Sequence, residues 1–305
     1  MATQVSSIGT MQPAKTIPWG RIVTWVVIGL FVIITLFPFV WMARTSLTAR
    51  DSIFSDTTAL IPPHTTFDNF RRVLDLVSTE EAVAAGGSGQ SVNFTLALRN
   101  SVVVASLITV GQIFFSGLAA YAFARLRFPF REQLFFIYLT GLMIPGVILL
   151  IPNFVLMRQL GWIGTFQGII APTFLMTPFA VFFLRQFFLT LSRELEEAAI
   201  LDGCSRFGVF WRVALPLSRP PLITLAILTF IGAWNEYLWP LLVGRDEEVR
   251  VLSVALGIFR SQTPQGAPDW GGLMAGATLA IIPTIILFLV LGRKVVDSIQ
   301  FSGFK

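Results

Sequence analysis

The sequence predicts an all-α, polytopic membrane protein, with six transmembrane helices and a cytosolic helix-turn-helix between the fourth and the fifth. Three observations carry this expectation. The 305 residues are 54% hydrophobic and only 13% charged, with a mean hydropathy of +0.75, whereas a soluble domain carries roughly a quarter charged residues. Six charge-poor stretches are long enough to cross a bilayer, at about 22–43, 101–124, 134–157, 164–184, 221–243 and 273–292. Between the fourth and fifth lies a polar segment, 185–220, with helix start and stop signals of its own.

Composition also narrows the function. The formal charge is +5, from 22 Lys and Arg against 17 Asp and Glu. The basic residues flank apolar spans and do not gather on a polar domain, which argues against a nucleic-acid partner. One cysteine, Cys204, excludes an intrachain disulfide and a Cys-based zinc site. The lone His64 excludes a histidine cluster, so no metal site is expected. No G-x4-G-K-[ST] loop occurs, so the chain has no P-loop for ATP and no cofactor of its own is expected.

Taken in order, the first apolar run is too long for a signal-peptide core and no A-x-A site follows it, so it reads as a retained anchor after a cytosolic segment, 1–21. The loop 44–100 follows on the outer side. Within it Phe70, Val73, Leu74 and Val77 repeat at helical spacing and predict one short amphipathic helix. Such a stripe caps the bundle or meets an extracytoplasmic partner. Gly86-Gly87-Ser88-Gly89 reads as a hinge or tip. Spans two and three are joined by a short connection holding Arg125, Arg127 and Arg131. Ser116, Gly117, Ala119 and Ala120 on span two, and Ala275, Gly276, Ala277 and Ala280 on span six, permit close helix packing. Prolines lie inside the spans at 38, 145, 152, 172, 178, 240 and 283 and predict kinks that packed neighbours tolerate.

The polar segment holds Arg193, Arg206, Arg212 and Arg219, and Arg293 and Lys294 follow span six. The positive-inside rule therefore places these loops and both termini in the cytoplasm, with 44–100 and 244–272 outside and 293–305 as a cytosolic tail. A first helix should start near Ser192 with Glu194, Glu196 and Glu197 in its early turns, where the helix dipole favours carboxylates. Ala198 and Ala199 would let another surface approach the backbone closely. Gly203 sits where a left-handed residue would end that helix. A second helix from Arg206 presents Phe207, Phe210, Trp211 and Ala214 as an apolar stripe, Pro216 stops it, and Pro220-Pro221 start span five. Such an elbow either shields the membrane interface or passes motion from a partner to span five.

Span five contains Asn235 and Glu236, the latter the single Asp, Glu, Lys, Arg or His inside any predicted span. A charge near mid-bilayer costs about 2.5–3.5 kcal/mol on insertion scales, so it should face a cavity or the bundle interior. It would then line a solute path or lock span five to a neighbour. Trp270, after Pro268 in the outer loop, is an interfacial anchor or part of a docking surface for a partner.

The spacing Glu197-Ala198-Ala199, then Gly203, then Val213, Leu215 and Pro216 resembles the EAA-x3-G-x9-I-x-L-P loop of membrane subunits in ATP-binding-cassette importers, with Val in place of Ile. Other stretches agree, among them Tyr121 to Arg125, Ile144-Pro145 and Trp234-Asn235-Glu236-Tyr237, and the chain resembles carbohydrate permeases of the maltose/glycerol-phosphate type from about residue 20 to 295. The resemblance implies a permease that passes a sugar inward by alternating access. It implies contact of Glu197, Ala198, Ala199, Asp202, Gly203, Leu215 and Pro216 with an ATPase subunit dimer that binds ATP and Mg. It also implies a second homologous permease subunit, an extracytoplasmic sugar-binding protein, and a substrate path near Asn235 and Glu236. The tail, S-I-Q-F-S-G-F-K, departs from the pattern of many relatives. Another small solute such as glycerol phosphate or an amino sugar remains an alternative within this class. A stand-alone secondary transporter would need intramembrane ion ligands, and a membrane enzyme would need a clustered nucleophile and base.

Overall fold

A computed structural model of the chain describes residues 19–54, 59–62, 64–84, 92–260 and 268–301. The elements in order begin with α1 (Trp19–Ser46), a 3-10 turn at Arg50–Ser52, and the short helices α2 (Asp68–Val73) and α3 (Thr79–Ala84). Then come α4 (Phe94–Arg125), α5 (Arg131–Thr140), α6 (Gly146–Gln159), α7 (Phe166–Phe174) and α8 (Pro178–Thr190). The polar segment forms α9 (Arg193–Leu201), α10 (Arg206–Val209), a π-helical turn (Phe210–Ala214) and α11 (Leu215–Leu217). The chain continues as α12 (Arg219–Asn235), α13 (Leu238–Val243), α14 (Leu252–Leu256) and α15 (Trp270–Phe301). Among the described residues there is no named strand; an isolated antiparallel bridge joins Thr48 and Thr65.

Among the described residues three helices are long and apolar enough to cross a membrane alone: α1, α4 and the Trp270–Gly292 part of α15. Three bent pairs supply the rest, with bends of 97° between Arg131–Met143 and Gly146–Gln159, 43° between α7 and α8, and 80° between Arg206–Leu217 and α12. One span for each pair gives six. Central to the packing is α4, which contacts α7, α8 and α12, whereas α1 lies along α15. Three apolar clusters divide the interior. One joins Tyr121, Phe188 and Phe210 at the elbow end, one joins Val104, Ile169 and Val243 in the middle, and one joins Val73, Trp234 and Leu256 at the opposite end.

Several boundaries differ from the sequence reading. Span two begins at Phe94, not near residue 101, because Asn93 caps it and Asn100, fully buried, donates from Nδ2 to the Glu248 and Arg250 carbonyls. The stretch 134–157 is not one helix: Pro145 lacks an N–H and forces Ile144 into an extended conformation, which breaks it after the 3-10 turn Gly141–Met143. Helix α8 runs past Arg185 to Thr190, so the polar loop starts after 190 and not at 185. The Arg185 guanidinium reaches the Glu132 carboxylate and the Phe123 carbonyl and lies 4.1 Å from the centre of the Phe135 ring. The amphipathic helix expected from Phe70 to Val77 stops at Val73, where Asp75 takes a left-handed φ of 58°. Residues beyond Arg293, expected as a tail, continue α15 to Phe301. Gly86–Gly89, residues 1–18 and the last four residues lie outside the described residues.

The break between α7 and α8 shows how such interruptions are held. Buried polar side chains on α4 supply the partners that the broken helix lacks: Gln112 Nε2 donates to the Thr173 carbonyl, and Ser116 Oγ accepts from the Thr177 N–H. Gln112 in turn accepts from Thr229 Oγ1 on α12 at 2.8 Å. An apolar helix here would leave those backbone groups unpaired in the interior. Gly111 is required beside them, since a Cβ there would lie 2.4 Å from the Phe174 ring.

Candidate functional site

The elbow folds from local signals. Ser192 caps α9 by accepting from Glu194 N, and the helix ends in a Schellman motif. Cys204 N donates to the Ala199 carbonyl at 2.9 Å, Gly203 N donates to Ile200 at 3.0 Å, and Gly203 has φ +87°. Ser205 caps α10 through Gly208 N, so the turn between the two helices is only a few residues long. Pro216 does not stop the second helix as expected; the helix passes through it and ends at Ser218, whose N–H reaches the Ala214 and Leu215 carbonyls. The proline cannot donate to a carbonyl one turn back, and the π-helical turn at Phe210–Ala214 absorbs that mismatch. Pro220 and Pro221 then sit in the first turn of α12, where missing N–H groups cost nothing.

Inside, the elbow is pinned to two helices. Phe210 packs against Tyr121 of α4 and Phe188 of α8, with ring centres 5.3 and 6.5 Å away. Glu196 Oε1 lies 3.0 Å from Arg125 Nε, with side chains 10% and 5% exposed. The same guanidinium donates through Nη2 to the Phe188 and Leu191 carbonyls at the end of α8. One arginine therefore ties the last turn of α4 to the end of α8 and to α9. A buried pair of this kind is costly to break, because the survivor is left as an uncompensated charge.

The expected coupling residues divide by face. Glu197, Ala198, Asp202 and Gly203 are exposed along the outward side of α9, together with Leu201 at 88% exposure. Ala199 and Leu215 are half-buried and pack against the apolar cluster, and Pro216 is half-buried beside Leu215. Of the expected apolar stripe, Phe210 and Ala214 are buried, while Phe207 and Trp211 are exposed and stack on each other with an interplanar angle of 17°.

Asn235 and Glu236 sit at a break and not within a continuous span: α12 ends at Asn235, and Glu236 is extended. The Glu236 carboxylate accepts from the N–H groups of Leu238 and Trp239 at 3.1 and 3.2 Å, capping α13. Its backbone carbonyl accepts from Ser253 Oγ. The residue therefore does not lock span five to another helix through its side chain. Beside it opens a cavity of about 420 Å3 lined by Trp234, Asn235, Ser253, Ala277, Thr284 and apolar neighbours, with no charged group in its wall. Trp234, buried and stacked on Phe230, forms part of that wall.

Sequence reasoning missed the pairing of Arg125 with Glu196, and it missed Gln112 and Ser116 as partners of a helix break. Arg125 was legible only as a basic residue at the end of a span. At the far end it also missed Arg72, whose Nη2 contacts Asn69 Oδ1 and Asp269 Oδ1, while Asn69 Nδ2 donates to the Ser46 and Thr48 carbonyls. A hydrophilic residue within an apolar helical stretch was the available signal for Gln112.

Comparison with known proteins accords with this architecture. The family model described as "Binding-protein-dependent transport system inner membrane component" matches residues 112–300. The trehalose/maltose transport system permease protein MalG of Thermococcus litoralis is 34% identical over 278 residues, covering 90% of this chain and 94% of that protein. The sn-glycerol-3-phosphate transport system permease protein UgpE of Yersinia pestis is 34% identical over 264 residues, covering 86% and 89%. Among solved structures, a bacterial ABC transporter involved in import of the acidic polysaccharide alginate is similar in fold, with a TM-score of 0.76 at 24% identity over 93% of this chain and 99% of that one. The match spans the elbow, its pinning helices and the broken spans, and the chain belongs to the family of binding-protein-dependent transport system inner membrane components.

Proposed function

We propose that this chain is the permease subunit of an ATP-binding-cassette importer that carries a sugar into the cell by alternating access. Its elbow end and both termini face the cytoplasm. A separate ATPase pair, binding ATP and Mg, presses on Glu197, Ala198, Asp202 and Gly203, while Ala199, Leu215 and Pro216 set the backbone that carries this face. The single observation that supports the reading is the two-sided elbow: its outer face is exposed, and its inner face is ion-paired to α4 and packed on α8. A push on α9 is thus delivered to the bundle and not lost in a loop. A second, related permease and an extracytoplasmic binding protein complete the transporter in this reading.

A sugar fits the cavity beside Asn235 better than an anion does. Asn235 and Ser253 offer hydrogen-bonding groups among apolar neighbours, and no cationic residue lines the wall. Relatives named for trehalose/maltose and for arabinooligosaccharides point the same way. The relative named for glycerol phosphate keeps the phosphorylated solute as the second reading. The test uses membrane vesicles holding the whole transporter and a radiolabelled disaccharide. Glu197→Lys, at an exposed position, should insert normally yet abolish ATP-driven uptake and co-purification with the ATPase. Normal uptake in that variant rules out the coupling role.

A further inference from the structure

A basic cleft of about 560 Å3 opens beside the elbow, shared by the end of α4, the start of α5 and the polar helices. A second hollow of about 360 Å3 shares Arg127, Arg131 and Arg193 with it. Arg131, Arg193 and Arg206 are the first residues of α5, α9 and α10, so three guanidinium groups stand at helix N-termini around one space. Cations are disfavoured there, because the free N–H groups already give that end a partial positive charge. Internal pairing does not explain the arrangement: Arg127, Arg193 and Arg206 are exposed, and among the described residues none of the three has a side-chain hydrogen bond or ion pair. Of the two glutamates in the wall, Glu196 is already matched by Arg125, and Glu197, on the exposed side of α9, offsets one of the remaining charges. The cleft keeps a net positive charge.

Its surroundings select the anion. Between Arg127 and Arg131 the chain reads Phe-Pro-Phe, and Phe130 is 71% exposed while held at φ 58°. Directly after Arg131, α5 exposes Leu134, Phe136 and Ile137 to the surroundings. Guanidinium groups next to an exposed ring and an apolar helix face are the arrangement that suits a lipid phosphate at the membrane surface with its chains along the helix. An acidic protein surface would answer the charge but not the apolar run that continues from it. We propose that this cleft binds the headgroup phosphate of an anionic phospholipid of the inner leaflet through Arg127, Arg193 and Arg206. The lipid then braces the junction of α4, α5 and α9, the same junction that receives the push in the proposed function. The inference rests on that reading only for placing the elbow end at the inner leaflet.

The test is native mass spectrometry of the purified full chain with added phosphatidylglycerol, phosphatidylcholine or inorganic phosphate. The wild-type chain should retain phosphatidylglycerol and not phosphatidylcholine, and its thermal unfolding in detergent should shift upward with the first lipid alone. The triple variant R127Q/R193Q/R206Q should elute as the same folded species and lose bound phosphatidylglycerol by at least about tenfold. Arg71→Gln, exposed at the opposite end, should change nothing. Equal phosphatidylglycerol binding in the triple variant overturns the proposal. Displacement of the lipid by millimolar inorganic phosphate reassigns the cleft to a free anion. Retained lipid, together with lost co-purification with the ATPase when the triple variant is placed in the whole transporter, reassigns it to an acidic partner surface. Uptake with the triple variant's lipid binding measured beside it separates this inference from the coupling role: lost lipid with normal ATPase association and uptake leaves the proposed function standing.

Discussion

Arg125 and Glu196 show how much one contact decides in this protein. The pair is nearly dry, and Arg125 also serves two carbonyl groups at the end of α8. Removing the acid strands a guanidinium in the interior, whereas replacing both groups with apolar ones removes the desolvation penalty together with the attraction. Glu196→Ala should therefore lower stability by about 3–5 kcal/mol, and the double variant Arg125→Met/Glu196→Met by clearly less than the sum of the single changes. Thermal unfolding of the solubilised chain and its variants measures this; additive losses would mean that the two charges act independently. Such a pair was hidden in the sequence because Glu194, Glu196 and Glu197 look alike there. Only the helix phase, fixed by packing, turns Glu196 inward and leaves Glu197 outside.

The elements were legible to different degrees, for reasons that follow from what holds them. Both ends of α9 were read from the sequence, since Ser192 and Gly203 act within a turn of their own position, whereas Pro216 was misread as a stop because the π-helical turn before it is set by packing. The broken spans were read only as kinked, because a proline marks where a helix loses a bond but not the angle that its neighbours then impose. Gly141, for example, sits against Pro178 from the next broken pair, with 3.1 Å between an added Cβ and the ring. Glu236 was placed within a span because composition alone cannot show a helix ending and restarting over two residues. Gly203 provides the test at this scale. A Cβ there meets nothing within 4 Å, so an alanine pays only for the left-handed backbone. Gly203→Ala should cost about 1–2 kcal/mol in thermal unfolding, and Gly203→Asn should cost less, since asparagine tolerates that conformation better. An alanine variant as stable as the parent would mean that the turn is not held at positive φ.

Across the whole molecule, α4 is the element through which an event at one end can reach the other. Asn100 grips the Glu248 and Arg250 carbonyls near one terminus, Gln112 and Ser116 hold the α7–α8 break midway, and Arg125 holds the elbow at the other terminus. These residues lie on one helix packed against α7, α8 and α12, so in the proposed mechanism α4 would carry a movement of the elbow to the broken helices. Gln112 is the sharpest place to interrupt that path, because its side chain bonds both the α7 terminus and Thr229 of α12. Gln112→Leu keeps roughly the same volume but leaves the Thr173 carbonyl and the Thr229 hydroxyl without this partner, at a cost of about 1–3 kcal/mol for an unsatisfied buried group. The whole transporter carrying this variant should still assemble with its ATPase, in contrast to Glu197→Lys, yet should hydrolyse ATP with reduced sugar uptake. A variant that keeps the parental ratio of sugar moved to ATP hydrolysed would show that the midpoint of α4 is a structural filler, and that the push from the elbow travels through α12 alone.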